Sequence, residues 1–236
     1  MTARRTVAVV LAGGTGTRLG SDVPKQLLDI GDMPILVRAL RAFQGCDAVD
    51  EIVVMMTSSH LQEARRLVEL HALTKVVAVL PGGTTRSATT LAALETLGDE
   101  ECHVLVHDAA RPLVTGEVIR RCADALAEHA AVSTVMPVVD TIYRVGEAGD
   151  TIDSIVPRRS LRRAQTPQGF HLSLLRAAHR EAAEHSQIEV TDDCDVVMRF
   201  VPGAVVHLVD GDPVNIKVTE AADLRIAASL LGGTGG

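Results

Sequence analysis

Tryptophan is absent from this chain of 236 residues, tyrosine occurs once and phenylalanine three times. With 47% hydrophobic residues but only 2% aromatics, the core has to be built from Ala, Val, Leu and Ile, a composition that suits a buried parallel sheet covered by helices. Lysine is nearly as scarce: Lys25, Lys75 and Lys217 are the only three among 23 basic residues. Where arginine is so strongly favoured, each lysine raises the question of whether a compact ammonium is needed there. Basic charge is short overall, and the net charge of −7 argues against a general nucleic-acid surface, so any anion site must be local. The cysteines Cys46, Cys102, Cys122 and Cys194 form no C-x-x-C pair, and no His stands at metal-ligand spacing; a reducing cytoplasm is expected. The apolar run Thr6 to Ala12 meets glycine too early for a signal peptide. No stretch approaches the roughly 20 apolar residues that span a bilayer. The expectation is a cytoplasmic protein with neither membrane nor nucleic-acid partner.

Strand-length apolar runs alternate with helical patterns from the start. Strands are expected at Val7 to Ala12, Glu51 to Met56, Lys75 to Leu80, Val104 to His107 and Val132 to Val139. Between them, helices are expected over Pro34 to Phe43, Ser59 to His71, Ser87 to Leu97 and Gly116 to His129, the second opened by a capping box of Ser59 and Gln62. This alternation implies βαβ units: an α/β fold with a Rossmann-like, mostly parallel sheet and helices on both faces. The rhythm breaks after Asp140, where Thr141 to Pro157 reads as a long polar hairpin with Gly146 and Gly149 in its middle. Such a hairpin, at about residues 140–158, is either an ordinary insertion or a dimer arm. A helix from His171 to His185, a strand pair at Val205 to Val209 and Ile216 to Val218, and a helix from Glu220 to Leu231 follow. One domain over residues 1–231 is expected, with 232–236 a flexible tail and no room for a second domain.

Chemistry concentrates in a few segments. Leu11-Ala12-Gly13-Gly14-Thr15-Gly16-Thr17-Arg18-Leu19 follows the first strand, and its glycines let the backbone approach an anion closely. A dinucleotide fingerprint would need glycine where Leu19 stands, and a Walker loop would need Gly-Lys-Ser/Thr; both readings fail. What remains is a turn carrying Arg18, with Lys25 seven residues on, a cation pair suited to nucleotidyl transfer, whose transition state spreads negative charge over non-bridging oxygens. Val106-His107-Asp108-Ala109-Ala110-Arg111-Pro112 ends the fourth strand, where open α/β sheets bind ligands. Asp108 there is either a helix-capping residue or a Mg²⁺ ligand, and Arg111 either a surface residue or a two-pronged phosphate contact. Pro81-Gly82-Gly83-Thr84-Thr85-Arg86-Ser87-Ala88-Thr89 offers Gly83 for a base edge and the Thr89 hydroxyl for a nucleotide, though an ordinary capped loop explains it as well. Asp140-Thr141, Arg158, Gln165-Thr166-Pro167-Gln168, Thr191-Asp192-Asp193 and Asn215-Ile216-Lys217 together supply hydroxyls and cations fit for a polyol phosphate.

In this order, from Val7 to Leu231, these segments resemble the 2-C-methyl-D-erythritol 4-phosphate cytidylyltransferases of the non-mevalonate isoprenoid pathway. The most specific parts are Val106 to Pro112, Gln165 to Phe170 and Asn215 to Thr219, supported by the Gly13 to Arg18 loop and Pro24-Lys25-Gln26. The resemblance implies a nucleotidyltransferase fold, CTP as co-substrate, Mg²⁺ as cofactor and a homodimer joined through the hairpin. Carried over by position, Arg18, Lys25, Arg158 and Lys217 look catalytic. Leu11, Ala12, Gly13, Gly14, Gly83, Thr84, Thr89, Asp108 and Ala109 look like CTP and metal contacts. The acceptor would fall to Asp108, Arg111, Thr141, Arg158, Thr166, Thr191 and Lys217. Thr84 stands where the family often has an acidic residue and Thr89 where it usually has serine; Arg158 and Arg159 compete for the acceptor phosphate. A ribitol 5-phosphate cytidylyltransferase is the sister alternative, and a nucleotide-binding module without catalysis is a further one.

Overall fold

The computed structural model describes residues 4–14, 24–185 and 187–232. Arg18 and most of the expected tail, residues 233–236, lie outside the described residues. β1 (Thr6–Ala12) is followed by a small hairpin of β2 (Asp29–Ile30) and β3 (Met33–Pro34), then α1 (Ile35–Gln44), β4 (Glu51–Met56) and α2 (Leu61–Leu70). β5 (Val76–Pro81), α3 (Arg86–Leu94), β6 (His103–Asp108), α4 (Gly116–Ala125) and β7 (Ala131–Pro137) complete the regular alternation. The projecting hairpin is β8 (Ile142–Val145) with β9 (Ile152–Val156). After it come β10 (Arg162–His171), α5 (Leu172–Glu184), α6 (Asp193–Phe200), β11 (His207–Asp210) and α7 (Ala221–Gly232).

Seven strands form the main sheet in the order β11-β7-β10-β6-β1-β4-β5. All pairings are parallel except those of β10, which runs against both β6 and β7. Every residue of β1 is buried, because the pleat sends alternate side chains into two separate cores. Ala8, Val10 and Ala12 pack with Leu36, Leu40 and Phe43 of α1 and with Val118 and Ile119 of α4. On the other face, Val7, Val9 and Leu11 pack with Leu94 of α3, Leu175 and Ala178 of α5, and Val196 and Val197 of α6. Helices therefore cover both faces, as the composition implies.

Among the described residues, the structure departs from the sequence reading in several places. β10 is a long central strand where no strand is expected; its Arg162, Arg163, Gln165, Thr166 and Gln168 hide it, and Pro167 sits where its register to β7 shifts between Ala164 and Gln168. α6 replaces an expected loop: the Asp192 side chain accepts the Asp195 N–H at 2.9 Å and so caps a helix whose Cys194, Val196 and Val197 are buried. Ile216 to Val218 is not a strand; β11 pairs with β7 instead, and Val218 is held by one backbone bond to Ala110. The capping box at Ser59 does not form: a 3₁₀ turn over Ser58–His60 precedes α2, and the Ser59 hydroxyl lies 2.8 Å from the His60 ring. Gly232 belongs to α7 rather than to the tail.

All four cysteines are free and buried, and burial pushes the Cys122 thiol up to about 12. A disulfide-forming thiol reagent at neutral pH should therefore modify none of them in the native protein and all four after denaturation. Fast modification of the folded chain would contradict this packing.

Candidate active site

The chain leaves β1 toward β4 on one side, while β6 lies on the other. The loops after β1 and β6 thus part at their carboxyl ends, and this is where an open α/β sheet forms its ligand crevice. A cleft of about 360 Å³ opens there. Leu11, Gly13, Gly14, Lys25, Gly83, Thr84, Thr89, Asp108 and Lys217, all singled out in the sequence, line it together. Gln26, Thr85, Arg86 and Ala110 also line it and carry no role in the sequence reading.

The two glycine-rich loops converge on one side chain. The Thr89 hydroxyl accepts the Gly83 N–H at 3.0 Å and donates to the Thr85 carbonyl at 2.8 Å, while Thr85 caps α3 by accepting the Ala88 N–H. A Cβ on Gly82 would lie 3.2 Å from that same hydroxyl, and one on Gly13 3.9 Å. Gly83 is required more strictly, since its Cβ would come within 2.7 Å of the Ala88 Cβ. Thr89 is thus spent on shaping the loop, and the Gly83 N–H that sequence offered to a base edge already has a partner. Gly14 packs against the buried Gln26 side chain.

Charge gathers on Asp108, which is 8% exposed at the end of β6. Lys217 Nζ lies 2.7 Å from Oδ2, and Arg86 Nε lies 3.4 Å from Oδ1. Burial by itself would raise the carboxyl pKa; the charges of Arg86 and Lys217 overcome it and hold the group well below the usual carboxylate range. Lys25 Nζ donates to the Val218 carbonyl at 3.0 Å, which joins the first loop to the Asn215 to Val218 segment that carries Lys217. Two of the three lysines therefore stand at one cleft. Lys75 donates to the Cys46 carbonyl far from it, as a structural residue.

Thr166 and Arg111 sit behind Asp108 rather than in the cleft. The Thr166 hydroxyl accepts the Asp108 N–H at 3.1 Å and meets His107 Nδ1 at 3.0 Å; His107 Nε2 in turn faces the Arg111 carbonyl at 3.1 Å. Burial pushes the His107 pKa down to about 4, so the ring is neutral at physiological pH, with Nε2–H donating and Nδ1 accepting. The Arg111 guanidinium donates to the carbonyls of Asn215 and Ala164 at 2.9 and 3.1 Å, tying the Lys217 segment to β10. These contacts replace, in this chain by itself, the free fork that the sequence suggested. Ala12 and Ala109 are buried just beneath the cleft, and the Ala109 N–H donates to the Leu11 carbonyl.

The remaining candidates lie elsewhere. Thr191 bonds Asp195 through its N–H and hydroxyl at the start of α6. Thr141 is exposed at the root of the hairpin, and Arg158 donates there to the Val139 carbonyl. Asp193, grouped by sequence with the acceptor segments, is instead fully buried and pairs with Arg86, from the Pro81 to Thr89 segment, at 2.7 Å. Its partner stands in the third loop, and no local spacing links the two.

Replacing Thr166 with Val keeps the shape and leaves the buried Asp108 N–H without an acceptor. Thr166→Val should cost about 1–3 kcal/mol in denaturant unfolding, and Thr166→Ser much less. Equal stability of the two variants would show that the Thr166 hydroxyl does not stabilise the Asp108 N–H.

Known proteins resemble this chain over nearly its whole length. The family model described as IspD, 2-C-methyl-D-erythritol 4-phosphate cytidylyltransferase, matches residues 6–233. The enzyme of that name from Thermobifida fusca is 42% identical over 232 residues, covering 96% of this chain and 93% of the relative. A solved structure of 2-C-methyl-D-erythritol 4-phosphate cytidylyltransferase from Thermus thermophilus is 32% identical, with a TM-score of 0.76 over 94% of this chain and 97% of that one. A bifunctional ribulose 5-phosphate reductase/CDP-ribitol pyrophosphorylase from Haemophilus influenzae is 34% identical over 98% of this chain and 49% of its own length. The α/β nucleotidyltransferase fold, the cleft at its switch point and these matches place the chain in the 2-C-methyl-D-erythritol 4-phosphate cytidylyltransferase family of nucleotidyltransferases.

Proposed function

We propose that this chain transfers CMP from CTP to the phosphate of 2-C-methyl-D-erythritol 4-phosphate, giving 4-diphosphocytidyl-2-C-methyl-D-erythritol and pyrophosphate. The observation that carries the reading is the meeting of Lys25, Lys217, Asp108 and both glycine loops in one cleft. An acceptor phosphate oxygen attacks the α-phosphorus of CTP, the bond to the bridging oxygen of the β-phosphate breaks, and pyrophosphate leaves. The acceptor is already anionic at neutral pH, so no general base is needed and positioning with charge neutralisation carries the rate. Lys25 reaches the cleft from the first loop and supplies a cation to the non-bridging oxygens; Arg18 is assigned beside it from the resemblance. Gly13, Gly14 and the Leu11 to Ala12 strand end would border the triphosphate, while Gly83, Thr84, Thr89 and Ala109 would border the nucleoside.

Asp108 fits Mg²⁺ by its chemistry. It is a hard oxygen donor facing the cleft, and among the described residues no group of three or more His, Cys, Asp or Glu stands ready to hold a metal. One carboxylate with phosphate oxygens and water is a coordination that Mg²⁺ commonly takes. When bound, the ion would offset the triphosphate charge, and Lys217 would be free to turn from Asp108 toward the acceptor.

Thr141 and Arg158 do not line the cleft of their own chain, and this supports a homodimer in which the hairpin reaches the partner's acceptor site. Tyr143, Val145, Ile152 and Ile155 on that hairpin are all exposed, and a lone two-stranded ribbon is marginal in water without a surface to cover it. Among the described residues no helix is long and apolar enough to cross a membrane. The reading places the enzyme in the cytoplasm.

The second reading, ribitol 5-phosphate as acceptor, is favoured by the Haemophilus influenzae relative. Turnover with CTP and each polyol phosphate separates the two: methylerythritol phosphate should be the better substrate, and activity confined to ribitol phosphate would overturn the assignment. Lys25→Ala should lower kcat by about 10²–10³, while loss of its bond to the Val218 carbonyl lowers the unfolding temperature only slightly and leaves the protein folded. A near-normal rate would reject its role.

A further inference from the structure

A chain of polar contacts runs from the cleft into the core. Lys217 Nζ touches Asp108 Oδ2 at 2.7 Å, and Asp108 Oδ1 faces Arg86 Nε at 3.4 Å. The other arm of Arg86 pairs with Asp193 Oδ2 at 2.7 Å. Asp193 Oδ1 meets His179 Nε2 at 2.9 Å, and His179 Nδ1 meets the Ser87 hydroxyl at 3.0 Å. The Asp193 and His179 side chains are wholly buried, whereas that of Lys217 is nearly half exposed.

A buried carboxylate and a buried imidazole are unfavourable residents of an apolar core, where two helices could pack with aliphatic residues instead. What the pair does here is hold a guanidinium. Arg86 begins α3, next to the loop that forms one wall of the cleft, and its planar fork reaches two carboxylates that belong to different elements. The ion pair with Asp193 restrains a long side chain that otherwise has many rotamers open to it. Ser87 then closes the loop, because the residue next to Arg86 anchors the histidine that anchors the aspartate.

We propose that Arg86, docked on the buried Asp193–His179 pair, is a positioning residue for nucleotidyl transfer: it fixes the orientation of the Asp108 carboxylate between α3 and the Lys217 segment. Arg86 acts through Asp108, so its loss misplaces a group at the reacting phosphates while the glycine loops still receive the nucleotide. The proposal rests on the assigned nucleotidyl transfer. A wild-type protein that does not turn over CTP with any polyol phosphate removes that assignment; an active wild type beside unaffected variants removes only the role of Arg86.

The test compares Arg86→Lys, Asp193→Asn and their double variant with the wild type by steady-state kinetics, calorimetric CTP binding and thermal unfolding. Lysine keeps the charge but has no fork with which to span both carboxylates. Arg86→Lys should lower kcat on the order of tenfold or more, with KM and Kd for CTP within about threefold of wild type. Asp193→Asn should show the same split, and the double variant should be no slower than Arg86→Lys, because both changes break one contact chain. If Asp193→Asn does not fold, Arg86→Lys still decides through its kcat and KM. A rise in KM and Kd with kcat intact would make Arg86 a direct nucleotide ligand and overturn the proposal. So would an unchanged kcat in Arg86→Lys, or a lower unfolding temperature in Asp193→Asn with full kcat, which would leave the pair a purely structural tie.

Discussion

Taking a carboxylate out of water is unfavourable unless cations and hydrogen bonds accompany it, and much of this structure accompanies Asp108. Two cations flank its oxygens, and its own N–H is received by Thr166. Each of those partners is in turn held: Lys217 by a segment that Arg111 and Lys25 tie down, Arg86 by Asp193, Thr166 by its contact with His107. The opposing charges keep the carboxyl far below its usual range despite burial, so it is an anion throughout the neutral range.

This arrangement depends on the sheet beneath it. β1 and β6 are buried on both faces and pair in parallel, so their carboxyl ends stop side by side at the one position where the strand order reverses. β10, inserted antiparallel between β6 and β7, brings Thr166 across from the end of β6. Without that strand the Asp108 loop would have neither the hydroxyl beneath it nor the Ala164 carbonyl that anchors Arg111.

The parts of the site legible in the sequence are those written in short, contiguous signals. Glycine runs after apolar strands, a lysine behind a proline, and an aspartate at a strand end marked the Gly13, Gly83, Lys25 and Asp108 positions, and the rarity of lysine pointed to Lys217. The α/β alternation and the hairpin were readable for the same reason. β10 was not: Thr166 receives the Asp108 N–H, Gln165 bonds the Asp212 and Asn215 carbonyls and Gln168 bonds Asp192, so polar partners of distant segments stand where strand alternation would need apolar residues. α6 was hidden because its start, Thr191-Asp192-Asp193, stands among the polar segments grouped for the acceptor, and its capping aspartate carries no helical periodicity. The Arg86 to Asp193 pairing joins distant segments and has no periodicity to betray it. Arg18, central to the reading of the first loop, lies outside the described residues, and its role rests on the resemblance.

The role proposed for Asp108 is to be the point where protein charge and nucleotide charge meet. Calorimetric titration of CTP into wild-type protein and Asp108→Asn, each with and without Mg²⁺, tests it most directly. Mg²⁺ should tighten CTP binding to the wild type, and most of this gain should disappear in Asp108→Asn, while its fold is kept. An equal Mg²⁺-dependent gain in both proteins would contradict it.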